Sequence, residues 1–155
     1  MQRLFLTFFY VGLLPKAPGT FGSIAGALVA WVILYFFSST TLFLLSIFLF
    51  LVSINIINSY ENKTKIHDHS IIVIDEVVGV WLAIVLSGDT NFQLIMSLIF
   101  FRFFDIKKPS IIGRVDRNTI GGFGVMFDDV LAGIFAGILS SICYYIANKL
   151  GFVIF

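Results

Sequence analysis

Two pairs of adjacent carboxylates, Asp75-Glu76 and Asp128-Asp129, stand at the edges of long apolar runs. Between them lies Arg102-Phe103-Phe104-Asp105-Ile106-Lys107-Lys108-Pro109. Residues 102–129 hold five of the ten basic and four of the nine acidic side chains of the chain. Charge this dense beside oily segments is unfavourable unless it is solvated, paired or metal-bound. Hard oxygen ligands from several carboxylates suit magnesium, which keeps waters and bridges to phosphate. Arg102, Asp105 and Lys108 are spaced by three and share a helix face. There Arg102 and Lys108 can bind phosphate oxygens, while Asp105 can ligate metal or act as nucleophile or base. A phosphate-handling, metal-dependent site at a membrane surface is the chemistry these residues describe.

Each feature also has a plainer reading. Asp75-Glu76 can be a macrodipole-favoured acidic pair in a first helical turn. One of Asp128 and Asp129 can be a helix N-cap. That cap explains neither the second aspartate nor the preceding Gly121-Gly122-Phe123-Gly124, where glycines let the backbone approach a ligand closely. Arg102 and Asp105 can be an intrahelical ion pair. Pro18-Gly19-Thr20-Phe21-Gly22-Ser23 puts amides and two hydroxyls, Thr20 and Ser23, at a helix N-terminus, a natural anion site, with Lys16 just before it. Ser23 can equally be a simple cap. His67-Asp68-His69 is a weak metal signal beside carboxylates and reads better as structural or supporting.

The elements that must position these groups are membrane helices. Of 155 residues, 59% are hydrophobic and only 12% charged, with nineteen phenylalanines. A soluble domain carries roughly 25% charged residues. The fold class is an all-α polytopic membrane bundle with about five transmembrane or re-entrant helices, expected near residues 23–37, 42–60, 71–87, 92–106 and 128–148. Gly22, Gly26 and Ala30 form one small-residue stripe, and Ala132, Gly133, Ala136 and Gly137 another, both suited to close helix approach. Residues 4–14 are too short to span and read as an interfacial or re-entrant helix; a cleavable signal peptide is disfavoured by Pro15-Lys16-Ala17-Pro18 after the apolar run. One domain, 1–155, is expected. The single Cys143, in an apolar run, excludes a disulfide framework or a cysteine metal site within the chain. Net charge of +1 gives no sign of a nucleic-acid partner.

Arg3, Lys16, Lys63, Lys65, Lys107, Lys108, Arg114 and Arg117 fall on alternate connections, whereas 38–41 and 88–91 have no Lys or Arg. The positive-inside rule places the charged connections in the cytoplasm. The acidic groups do not orient the chain, yet they collect on the same face.

Four blocks carry a resemblance. They are Pro18 to Ser23; His67-Asp68-His69 through Ile72-Val73-Ile74-Asp75-Glu76 to Gly79 and Trp81; Phe101-Arg102, Asp105, Lys108-Pro109; and Asp116-Arg117-Asn118, Gly121-Gly122, Gly124, Met126, Asp128-Asp129, Ala132-Gly133. In this order they resemble the phosphatidylglycerophosphatase A family over about residues 12–137. The family often has a proline near position 111, where this chain has Ser110-Ile111-Ile112. The resemblance implies a magnesium-dependent lipid phosphatase of the bacterial inner membrane that converts phosphatidylglycerophosphate to phosphatidylglycerol and phosphate, with its active site facing the cytoplasm. The expected metal ligands are Asp75, Glu76, Asp105, Asp128 and Asp129. The expected phosphate ligands are Lys16, Thr20, Ser23, Arg102 and Lys108, with backbone donors from Thr20–Ser23, and the catalytic carboxylate is one of Asp75, Asp105 and Asp129. The acyl chains are expected between the helices near 23–37, 71–87 and 128–148. A CDP-alcohol phosphotransferase lacks support, because its acidic motif spacing is missing. An ion carrier would spread its acids through the membrane depth.

Overall fold

The computed structural model describes residues 1–109 and 111–152, apart from the side chain of Asp116; Ser110, where the chain departs from the family pattern, and the Asp116 side chain, in the fourth block, lie outside the described residues. Among the described residues every regular element is helical: α1 (Gln2–Leu6), a 3₁₀ turn (Val11–Leu13), α2 (Pro18–Phe36), α3 (Ser39–Thr64), α4 (Ile74–Ser87), α5 (Asn91–Lys107), α6 (Ile111–Asn118) and α7 (Gly121–Lys149). Of these, α2, α3 and α7 are long and apolar enough to cross a membrane. The chain is a membrane protein built as a helical bundle. Leu28, Leu44, Phe48, Leu51, Ile95 and Ile142 stand exposed on its outer faces, where lipid rather than water is the matching solvent.

Helix starts follow from local chemistry. Pro18 occupies the first position of α2, where its missing N–H is no loss. Ser38 caps α3 by accepting from the Thr41 amide. Thr90 and Gln93 form a capping box at the start of α5.

Helix α4 is the hub. It packs against α2, α3, α5 and α7, and it is apolar on nearly all sides, from Val77 to Ile84. The neighbours come close because of small residues. A Cβ at Gly133 of α7 would lie 3.2 Å from the Gly79 Cα of α4 and strike its carbonyl. A Cβ at Gly79 would strike the Phe101 ring and lie 2.7 Å from the Asp129 carbonyl oxygen. Gly26 of α2 lies against Val77 and Val80, and its carbonyl accepts a 2.8 Å bond from the Trp81 indole. The two small-residue stripes therefore both face α4.

Two boundaries differ from the sequence expectation. Residues 4–14 are not one helix: α1 stops at Leu6, Phe8, Phe9 and Tyr10 take positive φ, and the Thr7 hydroxyl, bonded to the Arg3 carbonyl, accepts from the Tyr10 amide across the turn. The stretch 107–127 is not one loop. It contains α6 and the first two turns of α7. Asn58 of α3 accepts a 2.7 Å bond from the Gly122 amide, and a Cβ at Gly122 would strike the Ile54 carbonyl. Those glycines let α7 start against α3. Asp128 and Asp129 consequently lie two turns inside a helix, and neither is an N-cap.

Replacing Gly133 with Val should force α7 off α4. Overpacking of this kind costs about 1–3 kcal/mol, so the thermal midpoint of the detergent-solubilised protein, followed by circular dichroism, should fall by several degrees.

Candidate active site

The charged groups meet at one end of the bundle. Asp75 and Glu76 occupy the first turn of α4, where the macrodipole favours negative charge. Arg102 and Asp105 lie near the end of α5, and Lys108 is its left-handed C-cap. Asp128 and Asp129 come from α7, and Gly19 and Ser23 from the first turns of α2.

Asp75, Glu76 and Asp129 each offer a carboxylate oxygen, and these oxygens all lie within 4.8 Å of one another. Asp75 is 6% exposed and Asp129 4%. The Glu76 Oε2 atom is buried with no hydrogen-bond partner among the described residues. Crowded, desolvated carboxylates repel, and a divalent cation relieves that repulsion. The donor set is all oxygen, and an oxygen atom stands unused, so these three residues fit a hard cation.

Arg102 organises the neighbouring side. Its Nη1 donates to Asp105 Oδ2 at 2.5 Å and to the Ser23 hydroxyl at 3.2 Å. Ser23 in turn donates to the Gly19 carbonyl at 2.8 Å. A side chain at position 19 would collide with the Glu76 carboxylate and crowd the Arg102 guanidinium. Gly19 thus lets α2 lie close against the Glu76 carboxylate and the Arg102 guanidinium, a role that Pro-Gly turn chemistry alone does not reveal. Lys108 pairs with Asp128 through a 2.6 Å contact, with Asp128 only 4% exposed. Consecutive helix residues point about 100° apart, which separates Asp128, facing Lys108, from Asp129, facing Asp75 and Glu76.

The remaining candidates stand further out. Lys16 is exposed, two residues before α2. The amides of Thr20 and Phe21 are both engaged by the Ala17 carbonyl, so what α2 presents to Arg102 is the Ser23 hydroxyl. His67 contacts Glu61 at 2.7 Å, and the His69 ring accepts from the Ile71 amide. Both histidines shape the loop between α3 and α4. Asn58 was legible only as a polar residue at the end of an apolar helix; its bond to Gly122 fixes where α7 begins, two turns before the carboxylates.

A lipid-exposed helical bundle that gathers carboxylates, an arginine and a lysine at one end has the groups that a membrane enzyme acting on phosphate esters needs. Comparison with known proteins defines the class further. The model of the family described as phosphatidylglycerophosphatase A matches residues 4–144. The chain is 36% identical over 129 residues to the phosphatidylglycerophosphatase A of Haemophilus influenzae, covering 83% of this chain and 79% of that one. It is 32% identical over 138 residues to the Escherichia coli protein of the same name, covering 88% and 78%. A Bacteroides thetaiotaomicron relative, provisionally named a phosphatidylinositol-3-phosphatase, is 36% identical over 149 residues, covering 90% and 91%. No solved structure matches the chain. The chain belongs to the phosphatidylglycerophosphatase A family, and it is a phosphatase.

If the three-carboxylate group holds a divalent cation, Asp129→Asn should weaken Mn²⁺ binding by about tenfold or more. Electron paramagnetic resonance titration of the detergent-solubilised protein reads this directly, and unchanged circular dichroism would show that the fold survives.

Proposed function

We propose that the chain, acting as a single domain, hydrolyses the terminal phosphomonoester of phosphatidylglycerophosphate to phosphatidylglycerol and phosphate. Magnesium is the cofactor in this reading, and the bacterial inner membrane is the location, with the charged end at the cytoplasmic face. The observation that carries the proposal is the convergence of three carboxylates, from buried Asp75 and Asp129 and half-buried Glu76, beside the Arg102 guanidinium. The names of the relatives supply the substrate.

Asp75, Glu76 and Asp129 would hold the ion, with Asp105 and Asp128 alongside. A bound divalent cation neutralises phosphate charge and lowers the pKa of a coordinated water. Arg102 and Lys108 can exchange their carboxylate partners for phosphate oxygens, because charge-assisted bonds suit both. The Ser23 hydroxyl supplies a further donor next to Arg102, with Thr20 and Lys16 nearer the mouth. In the reaction water oxygen bonds to phosphorus, the bond from phosphorus to the glycerol oxygen breaks, and the water proton reaches that oxygen. Asp105, beside Asp129 and oriented by Arg102, is positioned to carry the proton.

A second reading follows from the Bacteroides relative, whose name points to a phosphorylated inositol lipid. The phosphomonoester chemistry is the same; the headgroup differs. Phosphate release from the two lipids in detergent separates them. Release from phosphatidylglycerophosphate alone supports the first reading, and release from the inositol lipid alone replaces it with the second.

Chelation with EDTA should abolish hydrolysis and added Mg²⁺ should restore it. Asp75→Asn and Asp129→Asn should each lower kcat by about a hundredfold or more. Full activity in both variants would sink the metal-site account. Arg102→Lys should raise KM, because an ammonium cannot reproduce a planar fork that bridges Asp105, Ser23 and a phosphate.

A further inference from the structure

Helices α2 and α5 both lean on α4 but separate from each other along most of their length. Gln93 and Ser97 of α5 bond the Ser87 and Ala83 carbonyls of α4, and the Trp81 indole of α4 bonds the Gly26 carbonyl of α2. Between the two flanking helices lies a groove of about 390 Å³. Its walls include Ile24, Leu28 and Trp31 from α2 and Leu94, Ile95 and Leu98 from α5. The helices are antiparallel, so the groove has two unlike ends. One end meets the Arg102–Ser23 contact, one residue from Ile24 and four from Leu98. The other reaches Trp31 and Asn91. From Arg102 to Asn91 the groove covers eleven residues of α5, roughly 16 Å at 1.5 Å per residue.

The sequence expectation placed the acyl chains between the helices near 23–37, 71–87 and 128–148. The middle helix, α4, is packed on nearly all sides, and Leu86 in its last turn is its one large exposed apolar side chain. The geometry points instead to the α2–α5 groove as the seat of one acyl chain of the lipid substrate. The occupant is an amphiphile with an anionic head at Arg102 and Ser23 and a tail running to Trp31. This rests on the phosphatase reading above. It adds that recognition extends beyond the headgroup: a chain in the groove holds its own phosphate at the guanidinium, converting part of the binding energy into orientation.

Two measurements test this. First, kcat/KM is compared for dipalmitoyl and dihexanoyl phosphatidylglycerophosphate, using the full chain in detergent. Ile24→Trp and Leu98→Trp, which fill the groove at partly exposed positions, should lower the long-to-short ratio by about tenfold or more, since losing several buried methylenes is worth that much. A ratio unmoved in both variants, with the wild type active on both lipids, overturns the groove while leaving the phosphatase reading in place. A wild type inactive on both removes that reading and the groove with it. Second, Trp31 is 51% exposed while Trp81, the other tryptophan, is 4% exposed, so fluorescence can report on the groove in the wild-type protein. Phosphatidic acid with brominated chains, a phosphomonoester lipid, should quench at lower mole fraction than brominated phosphatidylcholine, and Trp31→Phe should erase the difference. Equal quenching by both lipids would mean that the groove takes bulk lipid only, and the proposal fails.

Discussion

Three carboxylates within 4.8 Å of one another, in a bundle whose other buried residues are mostly apolar, are the constraint on which the structure turns. Like charges so close destabilise the fold unless compensated. Compensation comes from several directions. The N-terminus of α4 supplies a partial positive charge beneath Asp75 and Glu76. Arg102 stands next to Glu76 across Gly19, and the Glu76 oxygen left without a partner among the described residues marks where further positive charge belongs. No single helix can provide this arrangement. Four helices must reach the same point, and each does so through a particular close approach: α2 by Gly19 and Gly26, α7 by Gly133 and Gly137, α5 by the Phe101 ring against Gly79.

The consequence for architecture is a helix that serves as an axle. α4 has 14 residues, about 21 Å at 1.5 Å per residue, shorter than the roughly 30 Å hydrocarbon core. Surrounded by longer helices, it need not span on its own. Its apolar character comes from protein contacts, and its N-terminal acids lie in an environment walled by α2, α5 and α7.

Much of this was legible in the sequence. Long apolar runs gave the five longer helices, and the charge clusters named the carboxylates, Arg102 and Lys108 now found together at the charged end, though not Asn58. The small-residue stripes were legible too, though not the partner they share. What escaped was set by contacts distant in the chain. The glycines at 121–124 have loop propensity, and only Asn58, 64 positions from Gly122, turns them into a helix start. The pairing of Lys108 with Asp128 and of Arg102 with Ser23 likewise joins residues 20 and 79 positions apart. Spacing along one helix could not divide the two adjacent aspartates between an ion pair and a carboxylate group. At the N-terminus, three consecutive residues with positive φ, Phe8 to Tyr10, break a run of helix-compatible apolar residues.

The short connections at the uncharged end have a mechanical meaning. Phe37-Ser38 joins α2 to α3, and Gly88-Asp89-Thr90 joins α4 to α5, each closed by a side-chain cap, with Gln93 also tying α5 back to the Ser87 carbonyl. Backbone held so tightly has little room to open locally. At the charged end the links are longer: residues 65–73 join α3 to α4, and 108–120 join α5 to α7 through α6. The two poles are therefore held in different ways: short capped turns close the uncharged one, whereas at the charged one the helices are tied side chain to side chain, through Arg102 and Ser23, Lys108 and Asp128, and Asn58 and the Gly122 amide. The groups that meet a phosphate are thus the same ones that hold that end of the bundle together.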